Sequence, residues 1–148
     1  MPGNASLAAG EYYAHPRNAF WPIMEALFGA AADAPYAARL AVLQGRHVAL
    51  WDVLAACQRP GSLDARIDRD SIVVNDLAGF LGRHGQVRAV FFNGATAATL
   101  YRRHVLPELD ERGSGLPTIR LPSTSPAHAA RSFAAKLAAW RVLLREAS

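Results

Sequence analysis

Apolar positions recur along this chain at two spacings, one suited to helices and one to short buried strands. Residues 19–28 and 35–44 carry helical periodicity and are punctuated by Gly29, Asp33 and Gly45, which predicts two short helices. The run His47-Val-Ala-Leu-Trp-Asp-Val53 is compact and apolar and predicts a buried strand, with a loop across Gln58-Arg-Pro-Gly-Ser62. Ile72-Val-Val74 predicts a further short strand and residues 76–83 a helix. Val87-Arg-Ala-Val-Phe-Phe92 is the strongest strand signal, closed by Asn93-Gly94 and followed by a helix from Ala95 to about His104. Thr118-Ile-Arg-Leu121 predicts another strand, ending in Pro122-Ser-Thr-Ser-Pro126. A final helix is expected over residues 126–147, with Ser125 as its N-cap and Pro126 in the first helical position. Along it Phe133, Leu137, Trp140 and Leu144 fall on one apolar stripe.

Strands alternating with helices, and strands apolar nearly throughout, predict an α/β fold: a short parallel sheet covered by helices. Such sheets bind ligands at the carboxyl ends of their strands. Asn93-Gly94 and Ser123-Thr-Ser125 lie at those ends, as would Met1-Pro-Gly3 if a strand precedes it.

Composition narrows the class without naming a chemistry. At 148 residues the chain is expected to form a single domain, 1–148. With 51% hydrophobic and 19% charged residues it is an ordinary globule and not a disordered tail. Lys136 is the single lysine, so Arg supplies nearly all the charge behind the net +4. Arginine forks grip phosphate and stack on bases, which leans towards nucleic acid; an Arg-rich composition inherited from GC-rich coding is the simpler cause. Cys57 stands alone, which excludes a disulfide framework and a thiolate metal site and points to a reducing, cytoplasmic setting. No apolar run approaches a membrane span, and no basic n-region precedes an apolar h-region.

The densest chemistry lies in Tyr12-Tyr-Ala-His-Pro-Arg-Asn-Ala-Phe-Trp21. Flat aromatic faces beside hydrogen-bonding and cationic groups suit a site that stacks a planar base and holds its phosphate. Asn18 is first of all a helix N-cap, accepting from the free amides of Phe20 or Trp21. A capped carboxamide is also rigidly held, and although it cannot take a proton it can orient a water and favour positive charge nearby. Trp21, with Met24 and Leu27 behind it, belongs to packing. Tyr13, ahead of the irregular Ala14-His15-Pro16, is the better stacking ring. The hydroxyls of Ser123, Thr124 and Ser125 beside the start of the last helix suit a phosphate, although a cap alone needs no ligand. His15, His47, His84, His104 and His128 have no metal-ligand spacing, and no cofactor motif is present. Asp52 is the one carboxylate at a strand end, and Ser62 lacks the setting of a hydrolase nucleophile.

Together these segments resemble the uracil-DNA glycosylase superfamily, and most of all its hypoxanthine (deoxyinosine) branch. Met1-Pro-Gly-Asn-Ala-Ser-Leu7 is similar to that family's first motif, and Tyr12 to Trp21 to the segment that follows it. Trp51-Asp-Val-Leu54 with Arg59-Pro-Gly-Ser-Leu-Asp64, Phe91-Phe-Asn-Gly94 and Leu121-Pro-Ser-Thr-Ser-Pro126 extend the likeness in order over nearly the whole chain. The resemblance implies a three-layer α/β/α sandwich around a short parallel sheet, and a monomer acting on DNA with deaminated bases, without cofactor or metal. The family pattern has a strand leading into Pro2-Gly3, so the resemblance also implies an N-terminally short domain lacking that strand.

Many relatives carry a catalytic Asn or Asp before the first Pro-Gly, where this chain has Met1; the hypoxanthine branch uses the Asn of its His-Pro-Arg-Asn segment, here Asn18. The resemblance further implies that Tyr13 stacks on the flipped base and that Pro2, Gly3, Phe20 and Asn93 line its pocket. His15, Arg17, Ser123, Thr124 and Ser125 would contact DNA, with Ala127 or His128 approaching the gap the base leaves. Ser123 stands where uracil enzymes have a catalytic His or Asn. The implied activity is hydrolysis of the deoxyinosine N-glycosidic bond, with no lysine near the motifs for a Schiff base. A uracil or thymine mismatch glycosylase, and a non-catalytic DNA-binding remnant, are the competing expectations.

Overall fold

The computed structural model describes residues 2–58 and 66–146. Met1, most of the expected 58–62 loop, the Arg59 to Asp64 motif with Ser62, and the end of the expected last helix lie outside the described residues. The described residues gather into two compact units, one drawn from residues 52–121 and one from residues 2–51 with 122–146.

In the 52–121 unit, β1 (Leu54–Ala56) pairs antiparallel with β2 (Val73–Val74), Leu54 opposite Val74. The helix α4 (Leu77–Arg83) starts at Asp76, whose carboxylate accepts from the Gly79 amide at 2.9 Å. Strands β3 (Val90–Asn93) and β4 (Thr118–Leu121) run parallel, in register from Val90 opposite Thr118 to Asn93 opposite Leu121. Parallel neighbours need a crossover, and α5 (Ala95–His104) lies within it, followed by the short α6 (Glu111–Ser114). Phe92, Ala98, Tyr101 and Val105 form the buried cluster, with Val53, Val74, Leu77, Val90 and Leu109 against it. Arg102, Arg103 and His104 close α5, where positive charge meets the negative end of the helix dipole.

The other unit holds α1 (Asn4–Ala9), α2 (Phe20–Phe28), α3 (Tyr36–Gly45), α7 (Phe133–Trp140) and α8 (Leu143–Glu146). Along α2, Phe20, Trp21, Ile23, Met24 and Phe28 are buried. Each such side chain removed from water stabilises the fold by about 1.5–3 kcal/mol. Packing rather than propensity therefore holds this helix, which contacts α7 and carries no acid in its first turn.

Four expectations need correction. Residues 47–53 are not a strand. The His47 amide bonds to the Gln44 carbonyl (2.9 Å) and the Val48 amide to that of Leu43 (2.9 Å), with His47 left-handed at φ 57°. That pattern is a Schellman motif, so the first residues of the apolar run close α3 and the strand starts only at Leu54.

Nor does the last helix start at Pro126. The Ser125 carbonyl accepts from His128 (3.0 Å) and its hydroxyl from Ala127 (3.2 Å), which closes a turn. Residues 127–132 are exposed and offer no apolar face to bury, so the helix waits for Ser132, whose hydroxyl accepts from Ala135. The apolar stripe also fails: a turn at residues 141–142 re-phases the chain, Phe133 (47%) and Leu144 (40%) are exposed, and Lys136, Trp140 and Leu143 are buried. Finally, the short parallel sheet expected is formed by β3 and β4, but the strand expected from Val87 begins only at Val90.

Candidate active site

Residues 10–19 join α1 to α2 as a series of turns, and four of the expected site residues, Tyr13, His15, Arg17 and Asn18, lie here. The Asn18 amide donates to the His15 carbonyl at 2.8 Å, and the Arg17 amide to His15 Nδ1 at 3.1 Å. Nδ1 is thus an acceptor, which leaves Nε2 to carry the proton of the neutral ring. Arg17 is exposed beside it. The Asn18 side chain caps α2: its Oδ1 accepts from the Phe20 amide at 3.0 Å. A carbonyl oxygen has a second lone pair, and Asn18 remains half-buried, so the amide is held without being sealed.

Tyr13 has φ 58°, a left-handed conformation that costs a non-glycine residue about 1–3 kcal/mol. Its ring stacks on Phe20 with centroids 4.0 Å apart and planes 24° apart. Phe20 itself is 2% exposed and meets Trp21 and Trp140 edge-on, so it acts as the bed beneath Tyr13. Trp21 is a packing residue, buried with its Nε1 donating to the Tyr12 carbonyl at 2.9 Å.

The Pro122 to Pro126 segment, from the far end of the sequence, is stitched to this loop. The Ala19 amide donates to the Thr124 carbonyl at 3.0 Å, directly after Asn18. Trp140 Nε1 holds the Pro122 carbonyl at 3.0 Å, and Ser123 Oγ accepts from the Ser125 amide at 3.2 Å. Thr124 is 1% exposed, and its carbonyl is one of its points of contact with the loop. Ser123 and Ser125 are half-buried, and Ala127 and His128 exposed.

Tyr13, His15, Arg17, Asn18, Phe20 and Ser123 to Ser125 therefore share one unit, joined by these hydrogen bonds and by the stacking of Tyr13 on Phe20. Pro2 and Gly3, half-buried and exposed, lead into α1 in the same unit. Asn93 belongs to the 52–121 unit, where it ends β3 opposite Leu121; Gly94 after it has φ 99° and donates to the Leu121 carbonyl. Two residues with a part in the loop carry no local signal in the sequence. Ser6 Oγ accepts from the Ala14 amide at 3.1 Å, and the Tyr36 hydroxyl from the Tyr12 amide at 3.1 Å. Both act across the fold, which no spacing rule along the chain reveals. Among the described residues no His, Cys, Asp and Glu side chains gather into a group that could hold a metal, and no helix is long and apolar enough to cross a membrane.

No family profile matches the chain. A curated protein of Methanosarcina acetivorans, named hypoxanthine DNA glycosylase, is 33% identical over 129 residues, covering 86% of this chain and 76% of the relative. Another of that name, from Methanosarcina barkeri, is 31% identical over 99 residues, 64% of this chain and 59% of its own length. The solution NMR structure of a Methanosarcina acetivorans protein, provisionally described as a uracil DNA glycosylase, matches with a TM-score of 0.73 and 31% identity. That match covers 96% of this chain and 85% of the other.

Proposed function

The chain belongs to the hypoxanthine DNA glycosylase family, and we propose that it is a DNA repair enzyme that hydrolyses the N-glycosidic bond of deoxyinosine to release hypoxanthine. The observation that carries the proposal is Asn18. Its carboxamide is fixed by the Phe20 amide at the loop–helix junction, beside a Tyr13 ring bedded on Phe20.

Cleavage inside a duplex requires the nucleotide to be flipped out, at a cost of a few kcal/mol that is least for a poorly paired base. Hypoxanthine opposite thymine or cytosine pairs imperfectly, which favours its extrusion. Tyr13 then offers its face to the base, while Pro2 and Gly3, in the same unit, line the pocket. Ser123 and Ser125, with Arg17 and His15, hold flanking phosphates, and Ala127 or His128 enters the gap in the stack; Thr124 contributes through its peptide. Bond breaking passes through an oxocarbenium-like sugar. The C1′–N9 electron pair leaves with the purine, which takes up a proton, while the oxygen of a water bonds to C1′ and its proton passes to solvent. Asn18 accepts no proton in this scheme. Its carbonyl orients the water and its dipole favours the developing positive charge.

The product is an abasic site with its backbone intact. Lys136, the chain's single lysine, is 5% exposed on α7, which supports a monofunctional enzyme with no Schiff-base chemistry. We take it to act as a monomer in the cytoplasm, where the free Cys57 meets no oxidising partner.

A panel of duplexes with identical flanks, each carrying one deoxyinosine, deoxyuridine or mispaired thymine, tests the substrate. Hypoxanthine should be released at least ten-fold faster than uracil or thymine, and strands should break only after alkali. Faster release of uracil would assign the enzyme to a uracil specificity, and release of no base would leave a DNA-binding domain.

A further inference from the structure

Three side chains from three different helices converge on the backbone either side of Tyr13. From α3, the Tyr36 hydroxyl accepts from the Tyr12 amide at 3.1 Å. From α2, Trp21 Nε1 donates to the Tyr12 carbonyl at 2.9 Å. From α1, buried Ser6 accepts from the Ala14 amide at 3.1 Å. Behind them the Arg39 guanidinium lies 4.4 Å over the Trp21 ring and 5.4 Å from that of Tyr36, and it is tied to Glu11 at 3.2 Å. Tyr36 and Trp21 meet edge-on at 5.9 Å. These contacts lock the peptide before and the peptide after a residue whose φ of 58° an unrestrained tyrosine rarely adopts.

The geometry points to Tyr36 and Ser6 as positioning residues for base excision. They hold the Tyr12–Ala14 backbone in the left-handed turn that lays the Tyr13 ring flat on Phe20, so that the ring is already oriented when the base arrives. This inference rests on Tyr13 receiving the base as proposed. A rigid platform acts after the base has been flipped, on alignment of the bond to be broken, and not on the encounter with duplex. Loosening it should therefore lower the maximal excision rate more than it raises the enzyme concentration needed for half-saturation.

Tyr36→Phe is the test variant, because it removes one hydroxyl and keeps the ring against Trp21 and Arg39. Single-turnover excision from a deoxyinosine duplex should slow about two- to ten-fold at saturating enzyme, the range set by the net worth of one hydrogen bond. The half-saturating concentration and the melting temperature should stay near wild type. Ser6→Ala should show the same split, and Ser6→Thr, which keeps the hydroxyl, should recover the rate. A wild-type maximal rate in both Tyr36→Phe and Ser6→Ala overturns the inference, and so does a slowing matched by an equal loss of folded protein. Tyr13→Leu, assayed alongside, separates the two levels. Full excision by Tyr13→Leu removes the stacking role itself. Lost excision there, with unimpaired Tyr36→Phe and Ser6→Ala, removes only the cradle.

Discussion

At the scale of single residues, Tyr13 carries a conformational cost that the base-stacking role proposed for it would account for. Its left-handed backbone costs about 1–3 kcal/mol, and its stacking on Phe20 returns about 0.5–1.5 kcal/mol. Glycine bears no such conformational cost, so Tyr13→Gly gives up the stacking and the strain together. Its melting temperature should shift by only a few degrees, while excision of hypoxanthine is lost. A variant that keeps excision would show that the ring is not used, and one that unfolds would make Tyr13 a core residue. The irregular setting of this position was legible in the sequence, where Tyr13 precedes an Ala-His-Pro stretch. Its cradle was not, since Ser6 and Tyr36 meet the loop only once α1 and α3 are folded.

At the scale of elements, local signals succeeded where the deciding interaction was local. The helix at α2 follows from the Asn18 cap and the apolar spacing behind it, and β4 and α5 fall at their expected residues. Ser125-Pro126 misled because the same hydroxyl that caps a helix can close a turn, and exposure of residues 127–132 decides between them. The distinction is measurable. Ser132→Ala should destabilise by about 1 kcal/mol, the usual worth of an N-cap, whereas Ser125→Ala should stay within about 0.5 kcal/mol. Denaturant midpoints that rank the two the other way would place the start of α7 wrongly.

Tyr101, on α5, makes a second prediction at this scale. Its side chain is 3% exposed, and among the described residues its hydroxyl has no hydrogen-bond partner. Burial raises its phenol above the ordinary value of 10.0 by penalising the charged phenolate. The unfolded chain therefore releases this proton first as pH rises, so the stability is fully present below about pH 10 and declines above it. Tyr101→Phe should be as stable as wild type or more so, by about 1 kcal/mol, and should flatten the loss between about pH 9 and 11. Urea melts across that range check both signs.

At the scale of the whole molecule, the informative event is the joining of sequence segments far apart. The Asn18 loop and the Pro122 to Pro126 segment are linked by the Ala19–Thr124 hydrogen bond and by Trp140, which touches both Phe20 and the Pro122 carbonyl. The resemblance put these motifs in order along the chain but could not say that a backbone bond from Ala19 to Thr124 connects them. What we propose the segments do together turns on the Asn18 carboxamide. The decisive measurement is single-turnover excision by Asn18→Ser on a deoxyinosine duplex. Serine keeps a helix cap at this position but withdraws the amide that would hold the water. Excision should fall about 10²- to 10³-fold with the melting temperature nearly unchanged. Wild-type excision by that variant would contradict the assignment of Asn18 and leave it a cap alone.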